Sequence, residues 1–118
     1  HGAGGLDEIS ACDETLACEV TGGVIQKHVF TPDSIGVKST SRAAIQGGTA
    51  EENARRFMNV ADGEETELRE WIVANAAPAF YLSDHSPTLS DGAGTARDVI
   101  ASGRLRDYMS EMLNGARR

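Results

Sequence analysis

From Trp71 to Leu82 the chain is apolar on almost every side, and Asn75 is the one strongly polar side chain in the stretch. A charged opening turn (Glu67, Arg69, Glu70) precedes it. This pattern predicts a single helix from about Thr66 to Leu82 whose later turns are buried in a larger body. Pro78 falls inside that helix, removes a backbone donor and crowds the carbonyl of Ala74, so a kink is expected there. Asn75, once buried, needs hydrogen-bond partners.

The remaining chain reads as one modest domain over residues 1–118, long enough for a core of its own. Thr15 to Val20 and Val24 to Phe30 favour strands, and Gly22-Gly23 between them is a hairpin signal. Their inward and outward faces are blurred, because Val24 and Ile25 are adjacent apolar residues. Thr31-Pro32-Asp33-Ser34-Ile35-Gly36 reads as a turn, and Val37 to Ile45 as a surface loop. Thr49 with Glu52 fits a capping box that opens a helix ending at Gly63, with Ala50, Ala54, Phe57, Met58 and Ala61 on its apolar stripe. After a polar connector from Ser83 to Pro87, a helix from about Leu89 to Ala101 turns Ala93, Ala96, Val99 and Ile100 inward. A last helix, Arg104 to Leu113, turns Leu105, Tyr108, Met109, Met112 and Leu113 inward. Asn114-Gly115 ends it, and Ala116 to Arg118 should fray.

A net charge of −7 and a pI near 4.8 exclude nucleic acid as the expected partner, since phosphate binding wants clustered Lys and Arg. No run is long enough to span a membrane and no signal-peptide pattern is present, so no membrane contact and a cytoplasmic location are expected. Cys12 and Cys18 complete no zinc set and read as reduced thiols, with a disulfide possible but unforced.

Chemistry is concentrated at the start, His1-Gly-Ala-Gly-Gly-Leu-Asp-Glu-Ile-Ser10. Small residues up to Gly5 permit a sharp turn and the close approach of a ligand. Asp7 and Glu8 follow, and such carboxylates suit a hard, oxygen-loving cation such as Mg²⁺. Neighbouring side chains in a strand point to opposite faces, so the pair shares a site only where the chain has left the strand. On the residues alone, a solvated acidic turn is the favoured reading of the same stretch. The chain opens at His1 with no strand ahead of the motif, and so looks cut.

The motifs also stand in a specific order. Gly5-Leu6-Asp7-Glu8-Ile9-Ser10 comes first, then Pro32-Asp33-Ser34-Ile35-Gly36 and Gly47-Gly48-Thr49-Ala50-Glu51-Glu52-Asn53-Ala54. Asn75-Ala76-Ala77 with Phe80-Tyr81-Leu82 follows, and Asp91-Gly92 and Ala101-Ser102-Gly103-Arg104 close the series. In this order the chain resembles, over essentially its whole length, the C-terminal portion of the anthranilate phosphoribosyltransferase family. The resemblance implies an α/β fold in which a hairpin and about four helices cover a mostly parallel sheet, with the upstream strands and a helical N-terminal domain absent. It implies a glycosyltransferase of tryptophan biosynthesis that, with Mg²⁺ as cofactor, moves the phosphoribosyl group of phosphoribosyl pyrophosphate onto the amino group of anthranilate. It implies a homodimer when intact, Asp7 and Glu8 as metal ligands, and Gly5, Asp7 and Glu8 as substrate-binding residues. No catalytic residue is expected within this stretch. The family's glycine-rich pyrophosphate loop, its Lys-His-Gly-Asn stretch and its anthranilate-contacting arginine have no counterpart here, so the piece alone is expected to be inactive.

Two details depart from the family: Cys12-Asp13-Glu14 replaces a small Gly-Pro type turn, and Pro78 replaces Ala. The rival readings are a non-catalytic binding module on the same scaffold and a related phosphoribosyl or nucleoside transferase with another acceptor. His1 stands where it could line the site but, as a chain end, is not expected to be catalytic. His28, His85, Arg55 and Arg56 read as solvated surface, Asn53 and Asn75 as structural, and Trp71 and Phe57 as core.

Overall fold

The computed structural model describes residues 1–115; the predicted fraying of Ala116 to Arg118 lies outside them. A two-stranded hairpin, β1 (Thr15–Thr21) and β2 (Val24–Phe30), is followed by α1 (Pro32–Ile35), a short 3-10 helix (Arg42–Ile45), α2 (Ala50–Ala61), α3 (Glu67–Leu82), α4 (Leu89–Ala101) and α5 (Arg104–Gly115). The predicted α/β class and the order of hairpin and helices hold.

Gly22 (φ 58°) and Gly23 (φ 81°) turn the hairpin in the left-handed region, as a two-residue turn matched to strand twist requires. Its register pairs Leu16 with Val29 and Val20 with Ile25 on one face, and Ala17 with His28 and Glu19 with Gln26 on the other. The apolar face is the exposed one: Leu16, Val20, Ile25 and Val29 all face outward. The more polar face turns toward the helices, where Tyr81 Oη of α3 donates to Glu19 (2.8 Å) and His28 Nε2 lies 3.2 Å from the same carboxylate. His28 is thus half-buried beside Glu19 rather than solvated.

Where a turn was expected after β2, the chain forms a single helical turn. Thr31 and Ser34 cap each other reciprocally, Pro32 sits at the first helical position, and Gly36 (φ 81°) closes it. The 3-10 helix likewise interrupts the expected loop, and Arg56 of α2 braces it by donating to the carbonyls of Ala44 and Gln46. In α2 the expected capping box is present, with Glu52 N–H on Thr49 Oγ1 and Thr49 N–H on the Glu52 carboxylate. Asn53 bonds the backbone of Gly48, a structural role as expected.

α3 runs through Pro78 to Leu82 and pairs with α4 at the centre of the molecule. Small residues allow the close approach: a Cβ on Gly92 would sit 2.4 Å from the Ala77 carbonyl oxygen. The core holds Val73, Ala74, Ala77, Ala93, Ala96 and Ile100 together with Ile35, Val60 and Trp71. Three expectations of burial are corrected. Leu82 at the end of α3 is 74% exposed. Phe57 is half-buried, and Ala50 and Ala54 on its stripe are exposed, because only the last turn of α2 reaches the core. On α5, Leu105 packs against the core but Tyr108, Met112 and Leu113 are exposed, because α5 meets only the end of α4 and one side of α2.

Candidate functional site

The glycine-rich start folds back on itself beside the hairpin. Gly2 N–H donates to Leu6 O (3.0 Å), and Gly2 also bridges Thr15 at the foot of β1. Between these ends Gly4 and Gly5 take φ of 74° and 86°, a region that costs other residues strain. A Cβ on Gly4 would also lie 2.5 Å from the Arg42 guanidinium, whereas Gly5 faces open space. That guanidinium donates to Ala3 O (2.6 Å) and Gly4 O (3.2 Å) and lies 3.6 Å from the Asp13 carboxylate. Arg42 therefore satisfies the carbonyls that the tight turn leaves without partners.

Beyond the bridge at Leu6 the chain bends, and Asp7 and Glu8 stand exposed in that bend. The condition set by strand geometry is met: both carboxylates lie outside any strand and both line one cavity of about 470 Å³. Leu68, Trp71 and Ile72 of α3 and Ile45 of the 3-10 helix make its apolar wall, and Asn75 is its polar residue on the same helix. Trp71 is placed by its indole N–H, which donates to Ser41 O (3.3 Å).

The chain is fastened again directly after Glu8. Ile9 N–H donates to Asn75 Oδ1 (2.9 Å), and Asn75 Nδ2 donates to Ile9 O (3.0 Å) and to Trp71 O (3.0 Å). Ser10, fully buried, accepts at Oγ from the N–H groups of Cys12 (3.1 Å) and Asp13 (2.9 Å), and its own N–H donates to Thr15 Oγ1 (2.9 Å). Cys12 and Cys18 are free thiols. Thr40 N–H on Ala11 O (2.9 Å) closes the loop onto the segment before the 3-10 helix.

Gly5, Asp7 and Glu8 are thus brought together on one braced turn. His1 is exposed at the far side of that turn, and His85 lies exposed on the connector after α3. Sequence reading passed over Arg42 and Ser10. The signal for Ser10 is local, a hydroxyl placed to accept from residues two and three further on. Arg42 had none, because its partners lie 38 and 39 residues away.

Among the described residues no three His, Cys, Asp or Glu side chains are gathered closely enough to cage a metal ion. The site offers two carboxylates, both oxygen donors. That set does not suit zinc, whose structural sites are closed by four N or S ligands and whose catalytic sites take three protein ligands. It does suit Mg²⁺, which keeps several waters and takes one or two carboxylates together with substrate phosphates.

Residues 1–105 match the glycosyl transferase family, a/b domain. An anthranilate phosphoribosyltransferase of Clostridium kluyveri is 38% identical over 97% of this chain and 34% of its own length. One from Myxococcus xanthus is 38% identical over 98% of this chain and 34% of its own. The crystal structure of the anthranilate phosphoribosyltransferase from Thermus thermophilus superimposes with a TM-score of 0.86 at 29% identity, covering 98% of this chain and 34% of that one. The chain therefore spans about a third of the length of the relatives it matches. With the match running from its first residue through the start of α5, and with the fold shared, the chain belongs to the glycosyl transferase family, as part of its α/β domain.

Proposed function

We propose that this chain is the C-terminal part of the α/β domain of an anthranilate phosphoribosyltransferase. In this reading Asp7 and Glu8 hold Mg²⁺ and, through it, the pyrophosphate of phosphoribosyl pyrophosphate. The substrates are phosphoribosyl pyrophosphate and anthranilate, and the working assembly is a homodimer. The likeness to enzymes of that name supports the substrates, since every relative described above carries it. The observation that carries the site is the pair of exposed carboxylates on a braced glycine turn at the rim of the cavity.

When bound, Mg²⁺ neutralises charge that builds on a leaving pyrophosphate. The chain's own residues present and orient the donors. Gly5, with open space where a side chain would stand, lets a phosphate come close to the backbone. Arg42 is committed to the turn's carbonyls and fixes its shape. Asp7 and Glu8 are exposed, so they meet a hydrated cation without first being drawn out of a buried ion pair.

The test is Asp7→Asn and Glu8→Gln in the intact protein, read as turnover against Mg²⁺ concentration. Each change should lower turnover at limiting Mg²⁺ by more than about tenfold, with partial recovery at high Mg²⁺. Near-normal turnover at limiting Mg²⁺ would sink the metal assignment. Turnover that survives with another amine and fails with anthranilate would replace the acceptor and leave the metal site standing.

A further inference from the structure

We infer that Asn75 is the positioning residue of the Asp7–Glu8 pair, holding the two carboxylates in register by clamping the backbone of Ile9; this rests on the Mg²⁺ reading above. The acidic pair is fastened on both sides. On one side the Gly2–Leu6 bridge ends the glycine turn (3.0 Å). On the other, both backbone groups of Ile9 are taken by one side-chain amide, the N–H by Asn75 Oδ1 (2.9 Å) and the carbonyl by Asn75 Nδ2 (3.0 Å). Asp7 and Glu8 are the only residues between the two fastenings.

The amide does what a neighbouring strand would do, in a place where no strand lies among the described residues. The second hydrogen of Nδ2 goes to Trp71 O (3.0 Å), one turn earlier in α3, so the amide plane is set by the helix and its orientation is unambiguous. A chain segment 66 residues away in sequence is thereby indexed to the most central helix of the fold. The Asn75 amide is taken up by the backbone of Ile9 and Trp71, so it would act on the acidic pair by position rather than by contact with a cation. No other residue type fits the role. Leu keeps the branched shape, with bulkier methyl groups, and makes none of the bonds. Asp keeps the bond from Ile9 N–H but sets a carboxylate against the carbonyls of Ile9 and Trp71. Gln carries the amide one methylene too far.

The experiment uses the intact protein and reads binding of Mn²⁺ in the presence of inorganic pyrophosphate, with free Mn²⁺ followed by electron paramagnetic resonance, beside thermal unfolding. Asp7→Asn, Asn75→Leu and Asn75→Asp are compared with the unmodified protein. Asn75→Leu should weaken Mn²⁺–pyrophosphate binding by about tenfold, the size typical of lost support behind a metal ligand, and Asn75→Asp by a smaller factor. If Asn75→Leu does not fold, Asn75→Asp carries the test alone. Unchanged Mn²⁺ affinity with a lowered melting temperature would make Asn75 merely structural and overturn the inference. Unchanged affinity in Asp7→Asn would instead remove the metal reading on which it rests, so the two failures are told apart.

Discussion

Glu70 is the one carboxylate drawn into the core, with only 4% of its surface exposed. It accepts from Lys38 N–H (2.9 Å) and from Arg97 (2.7 Å), and Arg69 lies 3.6 Å away. Burial pushes its pKa up, but the Lys38 N–H and the two guanidinium groups together outweigh that and hold it below the usual range. A carboxylate lowered by folding adds stability above its unfolded pKa, and that stability drains away as pH falls through the folded value. The unmodified protein should therefore lose stability as pH drops below about 4. Glu70→Gln should cost about 1–3 kcal/mol near neutral pH and flatten that acid limb in urea unfolding followed against pH. Equal acid slopes in both proteins would show that other carboxylates carry the effect. Gly92 poses a steric question at the same scale. Gly92→Ala drives a methyl group toward backbone (Ala77 O at 2.4 Å) rather than toward a yielding side chain, so a loss of about 1–3 kcal/mol is expected in the same unfolding experiment.

At the scale of elements, what was legible in the sequence is what is decided locally. The hairpin follows from Gly22-Gly23, and α2 from Thr49 and Glu52, since both signals act within a few residues. Thr49→Ala removes the acceptor for Glu52 N–H, and should cost about 1 kcal/mol and speed amide exchange in the first turn of α2 while leaving α4 unchanged. The single turn of α1 carries the same kind of cap, but Thr31 and Ser34 form it with a hydroxyl where a Glu or Gln would have announced it. The glycine turn was visible, and so were Asp7 and Glu8 as the exposed carboxylates beside it. What fastens them was not, because Arg42 and Asn75 act on backbone groups 38 to 66 residues away and carry no local pattern. The inward face of the hairpin was hidden for a related reason. An alternation rule sends Leu16, Val20, Ile25 and Val29 inward, yet Glu19, bonded to Tyr81, turns the opposite face to the helices.

At the scale of the whole molecule, that inverted hairpin leaves much apolar surface on the outside. Leu16 (59%), Val20 (66%), Ile25 (65%) and Val29 (57%) form one exposed face, while Tyr108, Met112 and Leu113 expose more on α5. A face of this kind on a two-stranded hairpin is a surface that water disfavours, and it stands beside strand edges that can pair with another chain. The net charge of −7 opposes association at long range, but at about 0.15 M salt charges are screened beyond about 8 Å, so contact between apolar faces decides the outcome. The 118-residue polypeptide by itself should therefore bind a hydrophobic dye and self-associate increasingly as salt is raised. Val20→Thr combined with Ile25→Thr keeps strand-forming residues at paired positions while removing apolar area from that face. Sedimentation should then show less association and dye titration weaker binding, with the circular dichroism of the helices unchanged. Association that persists undiminished in this variant while dye binding falls would assign it to the α5 surface, and Met112→Lys would be the change that reduces it.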